Sequence, residues 1–162
     1  MRIADHTDKV ALRTLYNQAV RHANEVGHID WSSPFPMKLV DELIRTNELY
    51  CFDGRDGIDG ALRVSERPDR RIWADDKPAL YVSKVATSDA TRGQRYFETI
   101  MLPWVVSVAG PNRVIRLDCL ADNGRLKAYY ARLGFVGLAD VTFYSDKQRR
   151  DITVTPFELH AV

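Results

Sequence analysis

The chain has 162 residues, 45% of them hydrophobic and 28% charged, which is enough apolar material for one sizeable core without disulfide or metal staples. Lys+Arg 23 against Asp+Glu 22 gives a formal net charge of +1, so nothing global favours nucleic acid or an anionic membrane as partner. No run approaches the ~18–20 apolar residues of a membrane span and Met1 to His6 holds no apolar leader core, so a single cytoplasmic domain, 1–162, is the expectation.

In chain order, Arg2 to Ala4 reads as a first strand, and Thr7 as the N-cap of a helix reaching about Val26 and ended by Gly27. Its inner face carries Ala11, Leu15 and Ala19 with Leu12, Tyr16, Val20 and Ala23. A loop, His28 to Pro36, precedes a second helix bearing Leu39, Val40, Leu43 and Ile44. The period then changes to two: Leu49 to Phe52 and Ile58 to Ser65 are strands joined by Asp53-Gly54-Arg55-Asp56-Gly57, a hairpin signal. The polar stretch Glu66 to Pro78 is long enough to be a surface flap.

Next comes a strand, Ala79 to Thr87, then the turn Ser88 to Tyr96 and an apolar-periodic helix from Phe97 to Val108, with Pro103 oddly placed inside it. The run Val114 to Cys119 is another strand, with Ile115, Leu117 and Cys119 on one face and Arg116 and Asp118 on the other. A helix follows, with Leu126, Tyr129, Tyr130 and Leu133 at i, i+3, i+4 and i+7 and Gly134 as its stop. Leu138 to Phe143 and Ile152 to Leu159 are the last strand candidates, and Pro156 suggests that the second of them lies at an edge. The order is β-α-α-β-β-β-α-β-α-β-β, an α/β (α+β) chain with a mixed sheet, because crossover helices join parallel strands and hairpins antiparallel ones.

Cys51 and Cys119 each sit in a strand-like run and read as buried thiols of a reducing compartment. His6, His22, His28 and His160 include no i, i+3 or i, i+4 pair, so no metal is expected. The turn Ser88 to Tyr96 carries Arg92 and Arg95 and feeds a helix start, whose unpaired N–H donors and partial positive charge suit a pyrophosphate.

The segment Asn123 to Phe135 follows the pattern Asn-x-x-x-x-x-[Phe/Tyr]-Tyr-x-x-x-Gly-Phe and resembles the acetyl-coenzyme A binding segment of the GNAT superfamily of N-acetyltransferases. The resemblance implies a GNAT-like mixed sheet whose central strands, Ala79 to Thr87 and Val114 to Cys119, splay apart to admit the pantetheine arm. It places the pyrophosphate of coenzyme A on Arg92, Gly93, Gln94, Arg95 and Tyr96, through a loop of pattern [Gln/Arg]-x-x-Gly-x-[Gly/Ala]. Arg92 matches the first position, but Arg95 and Phe97 stand where small residues are usual.

The implied activity is transfer of an acetyl group from acetyl-coenzyme A to a primary amine of a small molecule or peptide, by direct attack. Val85, Ala86 and Thr87 would bind the pantetheine and supply an oxyanion donor, Tyr130 would protonate the leaving thiolate, and Asn123 would contact the coenzyme arm or cap its helix. Asp118 and Glu66 are the rival general bases, each with an ordinary ion-pair role as the alternative. Trp31, Phe35 and Tyr81 are candidates for the acceptor pocket. The altered loop motivates a second reading, a coenzyme-binding or ligand-sensing domain of the same fold without turnover. An exposed terminal strand leaves pairing with a second copy open.

Overall fold

In the computed structural model, which describes residues 1–25 and 34–160, Asp5 rather than Thr7 starts the first helical segment. The Asp5 carboxylate accepts from the Thr7 N–H at 2.8 Å and from its hydroxyl at 2.5 Å, while Asp8 accepts from the Asp5 N–H at 2.9 Å. This reciprocal box displaces Thr7 because a carboxylate at the positive end of a helix is the stronger acceptor. Arg2 then grips both oxygens of Asp8, at 2.7 and 2.8 Å, tying β1 (Arg2–Ile3) to the turn that leads into α1 (Lys9–Glu25). The expected helix end at Val26 and Gly27, and the loop residues His28 to Ser33 with Trp31, lie outside the described residues.

The remaining elements are α2 (Met37–Arg45), β2 (Leu49–Asp53), β3 (Ile58–Ser65), β4 (Ala79–Thr87), α3 (Leu102–Ala109), β5 (Val114–Leu120), α4 (Gly124–Arg132), β6 (Val136–Gly137), β7 (Val141–Ser145) and β8 (Arg150–His160). They form two compact units, Met1–Val64 with Ser83–Trp104, and Ser65–Val82 with Val105–Val162, so β4 gives its second half to the first unit and its first half to the second. The strands make a mixed sheet with the order β1-β2-β3-β4-β5-β8-β6, and β7 pairs with β8.

In the first unit the expected hairpin is present: β2 and β3 pair antiparallel from Leu49↔Arg63 to Asp53↔Ile58, with a bulge at Phe52/Asp53. One strand face, carrying Leu49, Cys51, Ala61 and Ala86, buries Leu12, Leu15, Tyr16 and Val20 of α1 and Val40 and Leu43 of α2. Cys51 is sealed there, and burial pushes its thiol up to about 12. On the opposite face Trp104 packs against Tyr50 and Phe52, with centroids at 4.7 and 5.6 Å. Gly60 lies directly under Tyr96 and Met101: a Cβ there would come within 3.1 Å of the Tyr96 ring, 3.2 Å of the Met101 sulfur and 3.3 Å of the Ala86 carbonyl.

The helix entering from this side accommodates Pro103 by a widened π-turn, Phe97–Met101, just ahead of it. There the Leu102 N–H reaches back to the Phe97 carbonyl, which makes room for a proline ring that cannot fit a regular turn.

In the second unit β4 and β5 pair in parallel from Ala79↔Val114 to Tyr81↔Arg116, and β5 pairs antiparallel with β8 from Val114↔His160 to Leu120↔Val154. Two expectations need correction here. The run Leu138 to Phe143 is not one strand: Val136–Gly137 and Val141–Ser145 pair separately with β8, which adds one strand to the expected order. Nor is β8 an edge strand, since it has β5 on one side and β6 and β7 on the other. Pro156 is tolerated because it falls at the break between β6 and β7. Its carbonyl accepts from the Leu138 N–H at 2.8 Å on that side, so its missing donor also falls where the ladder is interrupted.

Candidate active site

The first unit holds the end of β4 and the turn after it. Lys84 has φ 53 in the middle of the strand, a left-handed residue that offsets the alternation, and its carbonyl accepts from the Tyr16 hydroxyl at 2.8 Å. Tyr16 is itself clamped by Phe35, stacked at 4.5 Å, so Phe35 is a fully buried core ring. Ala86 is buried, while Val85 and Thr87 are half-buried.

The turn is fixed by Thr91, which is buried and whose hydroxyl bonds the Asp59 carbonyl at 3.1 Å. Gly93 (φ 79) and Arg95 (φ 57) are both left-handed. Arg95 thus keeps the backbone shape for which glycine is the usual residue, at a cost of about 1–2 kcal/mol. Its guanidinium is paired with Glu98, the Nε–H donating to one carboxylate oxygen at 2.9 Å. Arg92 pairs with Asp89, whose second oxygen is held by Arg21 at 2.5 Å. Gln18 closes the cluster by accepting from the Asp89 N–H at 3.0 Å. Gln94 turns back to the Ala90 carbonyl, and Tyr96 lies over Gly60, where burial raises its phenol.

The second unit carries the aromatic helix. Asn123 is buried and caps α4, its side-chain oxygen accepting from the Leu126 N–H at 3.0 Å. At the other end Phe135 N–H bonds the Tyr130 carbonyl and Gly134 N–H that of Ala131, with Gly134 at φ 92, which is a Schellman closure. The fold therefore seats Tyr130 in an aromatic nest, its centroid 5.8 Å from Phe135 and 5.5 Å from Phe157.

Of the two carboxylates, Asp118 is exposed on β5. Glu66 meets Arg113 at 2.6 Å, and Arg113 also donates to the Val108 and Ala109 carbonyls at the end of α3.

The sequence reading missed a buried polar cluster of this unit. Arg116 has no exposed surface. Its guanidinium donates to Glu158 at 3.0 and 2.6 Å, to both oxygens of Asp75 at 2.8 Å, and to the Tyr81 hydroxyl at 3.2 Å. Trp73 covers it at 4.5 Å and contacts the Tyr81 ring at 5.9 Å. Burial works against the guanidinium charge, but the hydrogen bonds to Asp75 and Glu158 outweigh it and raise Arg116, while Arg116 holds Asp75 down at about 2. The signals were a lone arginine between Ile115 and Leu117 and a tryptophan within the polar flap. Among the described residues no group of three or more His, Cys, Asp or Glu is placed to hold a metal, and no helix is long and apolar enough to cross a membrane.

A mixed sheet with a parallel pair, β4–β5, joined through α3, and an aromatic helix after β5, defines the acyl-coenzyme A acetyltransferase class of fold. Similar solved structures include a GNAT-family acetyltransferase from Streptococcus agalactiae 2603 (TM-score 0.75, 16% identity, 96% of this chain and 92% of that one) and another from Listeria monocytogenes 4b F2365 (0.68, 24%, 98% and 93%). A third is yncA from Salmonella typhimurium, solved with its cofactor acetyl-CoA (0.66, 17%, 99% and 92%). No family model matches the chain. It is, however, 31% identical over 141 residues to the uncharacterized N-acetyltransferase YesJ of Bacillus subtilis (strain 168), covering 82% of this chain and 78% of that protein. The chain belongs to the GNAT superfamily of N-acetyltransferases.

Proposed function

We propose that the protein transfers the acetyl group of acetyl-coenzyme A directly to a primary amine of a small molecule or peptide. The observation that carries this reading is the course of β4. Its registered pairs with β5 end at Tyr81↔Arg116, yet the strand continues to Thr87 and runs into a turn with left-handed Gly93 and Arg95 at the head of a helix. A strand end with main-chain groups to offer and an N–H-rich helix start suit an amide-bearing arm and a pyrophosphate respectively. When bound, the thioester supplies an activated acyl carbon.

The chain's own groups then have three tasks. Val85, Ala86 and Thr87 offer main-chain N–H to the arm and to the developing oxyanion. The amine must be neutral to attack, and free alkylammonium groups titrate near ~10.4, so a proton acceptor is needed. Asp118, exposed on the polar face of β5, and Glu66, which Arg113 meets at the far end of α3, are the rival bases. Tyr130 donates to the departing thiolate, its ring held by Phe135 and Phe157 and its hydroxyl at the tip.

Thiol release in a mixed-amine screen with acetyl-coenzyme A tests the reading. Release dependent on an amine supports it, and no release with any amine removes it. The pairing of Arg95 with Glu98 favours a second reading, coenzyme binding without turnover, because it sets a carboxylate at the head of the helix. Binding of acetyl-coenzyme A without thiol release would select that alternative.

A further inference from the structure

Arg116 is the most deeply buried charge of the second unit, and its two carboxylate partners are not equivalent. Glu158 comes from β8 directly opposite, in the register Arg116↔Glu158, and its side chain is 8% exposed. Asp75 comes from the flap and its side chain is 47% exposed. Asp75 nevertheless takes the outer fork of the guanidinium, both oxygens at 2.8 Å, which is the way Arg binds a planar carboxylate from a small molecule.

Lys77 lies 3.6 Å from Glu158. With Asp75 swung away, the outer fork of Arg116 would lose its carboxylate, while Glu158 keeps the inner side with Lys77 at 3.6 Å and His160 at 3.8 Å. Trp73 and Tyr81 frame the position, at 4.5 and 5.9 Å from the guanidinium carbon, and a framed, desolvated arginine rewards a carboxylate more than an exposed one does.

Asp118 stands two residues further along β5 and so on the same strand face, about 6–7 Å away along the strand. Glu158 and Phe157 point to opposite faces of β8, which puts Arg116 across the sheet from the ring that Tyr130 packs on. A molecule presenting an amine to Asp118 on this face would have its other end within reach of the fork.

We infer that Arg116 is an acceptor-recognition site for a carboxylate, that Asp75 occupies it in the absence of acceptor, and that the preferred acceptors are amino acids rather than simple amines. The inference rests on the acetyltransferase reading for its acceptor and on the geometry alone for its anion site.

The test measures acetylation of a panel of amino acids and of the amines obtained by decarboxylating them, with wild type, Asp75→Asn and Arg116→Lys. In Asp75→Asn the competing charge is gone, and the ratio of kcat/KM for amino acid over matched amine should rise up to about fivefold, mainly through KM. In Arg116→Lys, which keeps the charge but not the fork, the ratio should fall about tenfold. A ratio unchanged in Asp75→Asn overturns the inference and leaves Asp75 as a flap latch only.

Binding is read separately by the melting temperature in sodium formate against sodium chloride at equal ionic strength. Formate should stabilise Asp75→Asn more than wild type, and equal shifts count against the site even if Arg116→Lys fails to fold. Selective stabilisation by formate without thiol release from any amine keeps the anion site and removes the acetyltransferase reading. Thiol release with an unchanged ratio does the reverse.

Discussion

The Tyr130 side chain divides cleanly into a ring that packs and a hydroxyl that is assigned the chemistry. Tyr130→Phe keeps the contacts with Phe135 and Phe157, so stability should change by no more than about 1 kcal/mol, the worth of one hydrogen bond. Turnover should fall about 10²-fold or more if the hydroxyl protonates the thiolate, measured as kcat across the pH range. Unchanged kcat at every pH would mean that the hydroxyl has no part in the chemistry. Arg116 makes the opposite case, a charge whose partners matter more than its chain. Arg116→Met leaves the buried Glu158 carboxylate with only the more distant Lys77, at 3.6 Å, and His160, at 3.8 Å, and the loss should be about 3 kcal/mol in urea unfolding.

Asp75, in contrast, is half exposed, so its bidentate pair with Arg116 is worth about 1 kcal/mol or less. Its carboxyl is depressed from the ordinary 3.8 to about 2, so the protonated form is disfavoured in the folded state. The contribution is therefore complete above pH 3.8, declines as the pH falls and is gone below about 2. The stability gap between wild type and Asp75→Asn should be flat from pH 5 to 7 and close with acid. A gap that widens on acidification would contradict the assigned direction.

At the scale of elements, the start of α3 is set by two local devices, one legible in the sequence and one not. Gly60 is an ordinary strand glycine by pattern, and only the packing shows that Tyr96 and Met101 sit on it. Gly60→Val would drive its side chain into a backbone carbonyl as well as two side chains, and should cost about 1–3 kcal/mol in urea unfolding. Arg95 was visible as an anomaly because its loop pattern calls for a small residue, and its φ of 57 gives that anomaly a backbone meaning. Arg95→Gly removes the left-handed strain and the surface pair with Glu98 together. Stability should stay within about 1 kcal/mol, since these terms oppose each other. Coenzyme A affinity by calorimetry should rise, and weaker binding would assign Arg95 itself a phosphate contact.

For the molecule as a whole, what the sequence disclosed followed the physics of periodicity. The alternation of Leu49 to Ser65 and the i, i+3, i+4, i+7 stripe of α4 are local signals, and both elements stand as read. Pro156 misled because a proline is excluded only from a continuous ladder, and the break between β6 and β7 depends on partners distant in sequence. Arg116 was hidden for the same reason: its neutralisation comes from Asp75 and Glu158, far away in both directions along the chain.

Whether this loop grips a nucleotide carrier is read for the intact chain by mass action. A ligand at a hundredfold excess over its Kd stabilises the folded state by about 2.7 kcal/mol. A chain of this length moves about 2–4 °C per kcal/mol, so acetyl-coenzyme A should raise Tm by about 5–10 °C. Dephospho-coenzyme A, which keeps the pyrophosphate, should retain much of that shift if the turn from Arg92 to Tyr96 is the main contact, whereas pantetheine, which lacks it, should lose most of it. No shift with acetyl-coenzyme A at millimolar concentration would exclude both the enzyme and the sensor, whatever the fold.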